Sequence, residues 1–436
     1  MALFWKKKKK KRACVIGLDG IPHSLLTRFC ENGVTPGMAK IFAGGNLRKM
    51  KVTLPEISAV SWPSFMTGSN PGTHGIFGFM DLRPGSYNFH FPSFKDLKAP
   101  ALWEKLGTRN KTSVVINQPS TYPARKLEGI MVSGFVAIEM TRAIYPPSYI
   151  SKIKALDYQI DIDTMRSRQD HEFCFAELDR TLKGREKAVD FLWEEIDWDF
   201  FELVITGTDR LQHYMWNVLE DTNHPNHQRA LDYYRKVDQL VYRIYERFLE
   251  ASGHENEGEG FFLLSDHGFC QIKQEVYLNA WLEKEGYISY NKPSPQAVAD
   301  IAEGTKVFVL DPGRFYINRR GKYPLGIIED TEAKDLEEEL REKLMGLSCD
   351  GEKVMESVSG RDEVYTGPHA GEGPDLVATA HYGYDLKGSV AKKEIFGRTN
   401  LEGMHTWDDA FFWSGGSVKE DLRITDLSDL ILPTVG

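Results

Sequence analysis

The sequence predicts an α/β protein built on a doubly wound, largely parallel sheet flanked by helices. Two observations carry this: five short, nearly continuous apolar runs rich in β-branched and aromatic residues, and amphipathic helical patterns lying between and after them. The runs are ACVIGLD (13–19), SVVIN (113–117), GIMVSGF (129–135), FFELVIT (200–206) and GFFLLSD (260–266). Apolar character on successive residues fits strands buried on both faces, as in a parallel sheet. Leu231, Tyr234, Val237, Val241, Ile244 and Phe248 recur at three and four, the stripe of a long helix. Leu336, Leu340 and Leu344 do the same within 332–346. Segments 80–112 and 136–185 are rich in Pro, Tyr and charge with weaker periodicity, and are expected to be cap-like, substrate-facing insertions in a catalytic domain spanning 13–436.

With 436 residues, 41% hydrophobic and 27% charged, the chain has the composition of a soluble globular protein. Its five cysteines are scattered and form no CxxC pair, which argues against a disulfide framework or zinc ribbon and for a reducing, cytoplasmic setting. The seven consecutive cations from Lys6 to Arg12 stand apart from the rest; set aside from the net charge of −9, they leave a body near −16. Such an acidic body is a poor partner for a nucleic acid polymer. Residues 1–12 read either as a solvated basic arm or as a peripheral contact with an anionic membrane at its inner face, with Leu3, Phe4 and Trp5 entering the interface.

Three of the apolar runs end in residues that bind metals. Asp19 closes the first, where a carboxylate is costly to bury unless it is paired or ligated. Asp266 and His267 close the last, and Gly268 lets the backbone turn away. After the fourth run, Asp209 and His213 are four apart and share one face if a helix begins there. His405 sits in a glycine-flanked turn and has no signal of its own. Three Asp and three His together suit Zn, Mn or Fe rather than Ca. In LPEISAVSWPSFMTGSNPGTHGIFGF (54–79), Ser58, Ser61 and Ser64 are candidate hydroxyls near a helix start, a favourable place for phosphate. Chemistry alone does not choose among them.

The ordered set GLDG, a hydroxyl followed by TG and NPGTHGIFGF, then TDRLQH, SDHGF and GMH resembles the type I phosphodiesterase and nucleotide pyrophosphatase branch of the alkaline phosphatase superfamily, over residues 13–416. The resemblance implies an alkaline phosphatase-like fold and two divalent metal ions, commonly zinc, with manganese or iron as alternatives. It matches Asp19, Asp266 and His267, with Ser58, to one metal, and Asp209, His213 and His405 to the other. The family nucleophile stands nine residues before the Thr of the TG pair, and counting back from Thr67 reaches Ser58. Ser61 then falls where many members carry an Asn that holds a phosphate oxygen, and is expected to bind substrate phosphate.

The implied activity is cleavage of a phosphodiester or pyrophosphate bond in a small-molecule or lipid-linked substrate through a phospho-serine. The alternatives are a phosphomonoesterase, which often adds a third metal or basic side chains, and a non-catalytic membrane-surface relic of the fold. A sulfatase is disfavoured, because Phe65 stands where its Cys/Ser-x-Pro-x-Arg context needs Arg.

Overall fold

A computed structural model of the chain describes residues 9–436. Its centre is a nine-stranded sheet in the order Leu422–Arg423, Asn46–Lys51, Ala410–Ser414, Phe261–Leu264, Ala13–Leu18, Phe200–Ile205, Ser113–Gln118, Gly129–Ser133, Ile144–Tyr145. The five expected strands are the five contiguous ones in the middle, and every pairing among them is parallel. Ala410–Ser414 and Ile144–Tyr145 are antiparallel to their neighbours. Ile16 lies opposite both Leu203 and Leu263, so the three strands whose ends carry Asp19, Asp209 and Asp266 are adjacent and in step. This register delivers all three carboxylates to one edge of the sheet.

Alternate residues serve opposite faces. Cys14, Ile16 and Leu18 pack with Leu203, Ile205 and Leu263 under the helices His171–Glu195, Gly207–Glu220 and His227–Ala251. Val15, Val115, Val204 and Leu264 pack on the other face with Trp62 and Phe65 of the helix Ser58–Thr67 and Trp103 of the helix Leu102–Gly107. Gly17 is a close-approach position: a Cβ there would meet the Trp62 ring at 2.4 Å. The missing side chain seats the helix that begins with Ser58.

A second core lies mainly within residues 273–397. It contains a four-stranded antiparallel sheet ordered Val307–Leu310, Arg314–Ile317, Leu376–Ala380, Met355–Gly360, and a three-stranded sheet around Gln274–Tyr277. The expected helix is present as Asp330–Met345, but Leu336, Leu340 and Leu344 pack in this second core rather than against the central sheet. Segment 80–112 divides between the two: Tyr87 joins the second core, while Phe94, Leu102, Trp103 and Leu106 join the face behind Ser58. In segment 136–185, Cys174, Phe175, Leu178 and Leu182 begin the long helix covering the opposite face.

The basic arm lies outside the described residues up to position 8. The rest of it is built into the fold: Lys10 meets Asp199 at 2.9 Å, and buried Arg12 pairs with Asp197 at 2.7 Å and stacks over Trp198. A truncation that probes membrane contact therefore stops before Lys10. Among the described residues no helix is long and apolar enough to cross a membrane, and the five cysteines are free.

Glu202 breaks the apolar pattern of its strand. Its side chain is fully buried and neither carboxyl oxygen has a hydrogen-bond partner. Burial pushes its carboxyl up to about 8. The folded chain thus holds a proton that the unfolded chain releases near the ordinary glutamate range, so stability falls as pH rises from about 4.5 to about 8. Glu202→Leu is expected to be more stable than the parent, with the advantage about 3 kcal/mol larger at pH 8 than at pH 5. Urea denaturation at both pH values measures it, and an equal difference at both would refute the buried neutral acid.

Candidate functional site

The site is assembled from strand ends. Asp19 follows the first strand, and Gly20, at φ 71°, turns the chain so that its N–H donates to Asp266 Oδ1 at 3.1 Å. The helix Gly207–Glu220 starts directly after its strand, and Thr208 anchors it by donating to the Asp19 carbonyl at 2.6 Å. One helical turn then brings Asp209 Oδ1 within 3.4 Å of His213 Nε2. His405 arrives by strand pairing: Gly268–Gln271 runs antiparallel to Gly403–Thr406, with Phe269 opposite His405. The Phe269 ring packs against both His213 and His405, centroids 4.7 and 5.1 Å away.

Six residues expected from the sequence come together as two touching groups. In one, His405 Nε2 lies 3.2 Å from Asp209 Oδ1 and 3.0 Å from His213 Nε2. In the other, His267 Nε2 lies 3.7 Å from Asp19 Oδ1 and 3.3 Å from Asp266 Oδ2. Asp209 offers an oxygen to both groups, falling with His213 and His405 and also with Asp19 and His267. The His267 and His405 rings stack with centroids 3.7 Å apart, which joins the groups into one centre.

The donor set fits bound cations. Each imidazole turns Nδ1 to a backbone carbonyl: His213 to Gly403 at 2.9 Å, His405 to Glu56 at 3.0 Å, His267 to Gly268 at 3.1 Å. An Nδ1–H that donates to a carbonyl leaves the Nε2 lone pair facing inward, the orientation of a metal-ligating histidine. Burial lowers all three imidazoles, His213 and His267 to about 4, so they are neutral at pH 7. Two neutral Nε2 lone pairs facing each other at 3.0 Å repel unless a cation lies between them. Asp266 Oδ2 is likewise buried without a hydrogen-bond partner. Burial, then the neighbouring Asp266 and Asp209, raise Asp19, while burial and Asp209 push Asp266 up to about 7. Burial also opposes charge on Asp209, but the Arg210 guanidinium 2.7 Å away favours its ionised form.

The three candidate hydroxyls separate cleanly. Ser58, the first residue of its helix, places Oγ 3.0 Å from His267 Nε2 and 3.2 Å from Asp19 Oδ1. Trp62, one turn on, fixes the helix by donating to Asp19 Oδ2 at 3.2 Å. Ser64 is committed to the Val60 carbonyl and His74. Ser61, expected to hold phosphate, faces the packed side of the helix: it is fully buried, has no hydrogen-bond partner and does not reach the cavity. His74 is a buried structural group, and burial lowers its imidazole to about 3.

A cavity of about 400 Å³ opens above Ser58, between the sheet edge and the second core. Sequence reasoning missed Glu56, Asp311, Asp385 and Lys387 in its wall, because nothing in their local pattern marks them. Arg210 also lines it, paired at 2.7 Å with both Asp209 and Asp161.

Comparison with known structures agrees with this architecture. Sinorhizobium meliloti phosphonoacetate hydrolase, solved with phosphonoformate, matches with a TM-score of 0.64 at 15% identity, covering 98% of this chain and 96% of that one. Alkaline phosphatase PafA matches at 0.57 and 14%, covering 97% and 96%. Murine ectonucleotide pyrophosphatase / phosphodiesterase 5 matches at 0.54 and 13%, covering 97% and 95%. No curated protein matches the chain. At such identities the neighbours show the fold alone. The family model for type I phosphodiesterase / nucleotide pyrophosphatase matches residues 13–408, and the chain belongs to that family.

Proposed function

We propose that the protein is a two-metal phosphohydrolase that cleaves a phosphodiester or pyrophosphate bond through a phospho-serine. The observation that carries this is the position of Ser58 Oγ, within hydrogen-bonding distance of Asp19 and His267 at the seam of two ligand groups that share Asp209. Asp19, Asp266, His267 and Ser58 would hold one cation, and Asp209, His213 and His405 its partner. Mixed carboxylate and imidazole donors suit zinc, with manganese or iron as alternatives. Cations held there would supply a lowered pKa for the Ser58 hydroxyl and positive charge against the transferring phosphoryl group.

Ser58 Oγ attacks phosphorus in line as its proton passes to solvent, and the P–O bond to the ester group breaks, its oxygen leaving with the bonding pair and taking a proton from water. The Ser58 helix is pinned by Trp62, so the attacking oxygen does not need to be positioned anew in each cycle. Water then attacks the phospho-serine and returns the Ser58 hydroxyl. Ser61 has no part in this scheme, because its hydroxyl points into packed side chains.

A diester is favoured over a monoester because the cations lining the cavity, Arg168 over the Tyr214 ring excepted, are already committed to carboxylates. Arg210 pairs with Asp161 and Asp209, Arg314 with Asp81 at 2.6 Å, and Lys387 with Asp385 at 2.6 Å. The extra charge of a monoester would find them occupied. The metal-loaded enzyme is expected to hydrolyse bis(p-nitrophenyl) phosphate with kcat/KM roughly 10²-fold above p-nitrophenyl phosphate. The reverse ranking identifies a monoesterase; metal bound with no turnover of either identifies a relic that only binds.

A further inference from the structure

The aromatic wall of the cavity carries an inference about substrate class that rests on the phosphodiesterase reading. Phe79 and Phe135 both line the cavity, and they lie against each other with planes 7° apart and centroids 5.8 Å apart. A planar base held between two rings needs them roughly 7 Å apart, twice a van der Waals contact of about 3.5 Å. Phe135 also carries the Arg210 guanidinium 4.5 Å from its centroid, and Phe79 meets Phe91 edge-on at 5.4 Å. The rings are stacked on one another and offer no slot.

The surroundings of the wall are apolar to an unusual degree. Among the described residues five large hydrophobic side chains are exposed, and two of them meet here: Phe79 is in the wall and Phe91 packs on it. Ile138 and Met165 are exposed three residues and one residue along the chain from the lining residues Phe135 and Thr164. Scattered exposed hydrophobics are ordinary, but a group beside a reactive cavity marks a binding surface. Arg210, Arg314 and Lys387 are paired with carboxylates, Glu56 and Asp311 add acidic groups to the wall, and Arg168, held over the Tyr214 ring, is the one lining cation among the described residues without a carboxylate partner. A single such cation serves a polyphosphate chain poorly.

We infer that the ester group lying along Phe79 and Phe135 is a flexible apolar chain, aliphatic or isoprenoid, and that the substrate is an amphiphilic phosphoester rather than a nucleotide. Three monomeric p-nitrophenyl phosphodiesters with a common leaving group test this: the methyl, octyl and thymidine-5′ esters. The octyl ester is expected to exceed both others in kcat/KM by roughly tenfold or more, since burial of each added methylene favours binding. Replacing the exposed rings in a Phe79→Ser, Phe91→Ser variant should bring the octyl-to-methyl ratio toward one. A thymidine ester turned over fastest, or a parent octyl-to-methyl ratio near one, overturns the inference while leaving the phosphodiesterase reading in place. Failure of the metal-loaded enzyme on all three overturns that reading and the inference with it.

Discussion

Ser58→Ala is expected to lower turnover of a diester by roughly 10³-fold or more, because it removes the only candidate hydroxyl that reaches the ligand groups. Ser61→Ala is expected to stay within about threefold of the parent, since its hydroxyl is buried, unpartnered and away from the cavity. Deleting an unsatisfied buried hydroxyl also carries little stability cost. Both variants should retain two equivalents of metal, because Asp and His supply most of the donors. That separates loss of the nucleophile from loss of the centre. Quenching the parent during turnover of a slow substrate and mapping phosphate by mass spectrometry gives the direct answer. Phosphate on Ser61, with Ser58→Ala as active as the parent, would overturn the assignment.

The five central strands were legible because strands buried on both faces leave continuous apolar runs, and each run ended within two residues of the observed strand. Their adjacency was not legible. Only the pairing of Ala13–Leu18 with both Phe200–Ile205 and Phe261–Leu264 puts Asp19 between Asp209 and Asp266. Asp209 and His213 could be read from helical spacing, whereas His405 depends on a hairpin-like pairing 130 or more positions away and was reached through the family resemblance alone. The second core escaped notice because its strands are short, antiparallel and separated by irregular loops, so its helix Asp330–Met345 looked like one more sheet-flanking helix. The choice of Ser58 rested on counting from Thr67; in the fold Ser58 opens the helix and Ser61 is fully buried. The phosphate role expected for Ser61 followed from position in a motif, which does not specify the burial that the fold gives its hydroxyl.

Exhaustive chelation is expected to abolish activity, and zinc or manganese to restore it, because neutral imidazoles and buried carboxylates supply no catalytic power without the cations they converge on. The two ligand groups also make a finer prediction. Asp209 belongs to both, so Asp209→Asn should weaken binding of both metal equivalents, whereas His213→Ala should release chiefly one. Asp209→Asn also removes the carboxylate that Arg210 Nη1 meets at 2.7 Å, leaving that guanidinium held by Asp161 alone. Metal content after dialysis against limiting zinc, measured alongside circular dichroism to verify folding, reads the difference without relying on turnover. Equal metal loss in the two variants would show that Asp209 serves one ligand group only. Full activity in chelated protein shown to be metal-free would refute the two-metal mechanism itself.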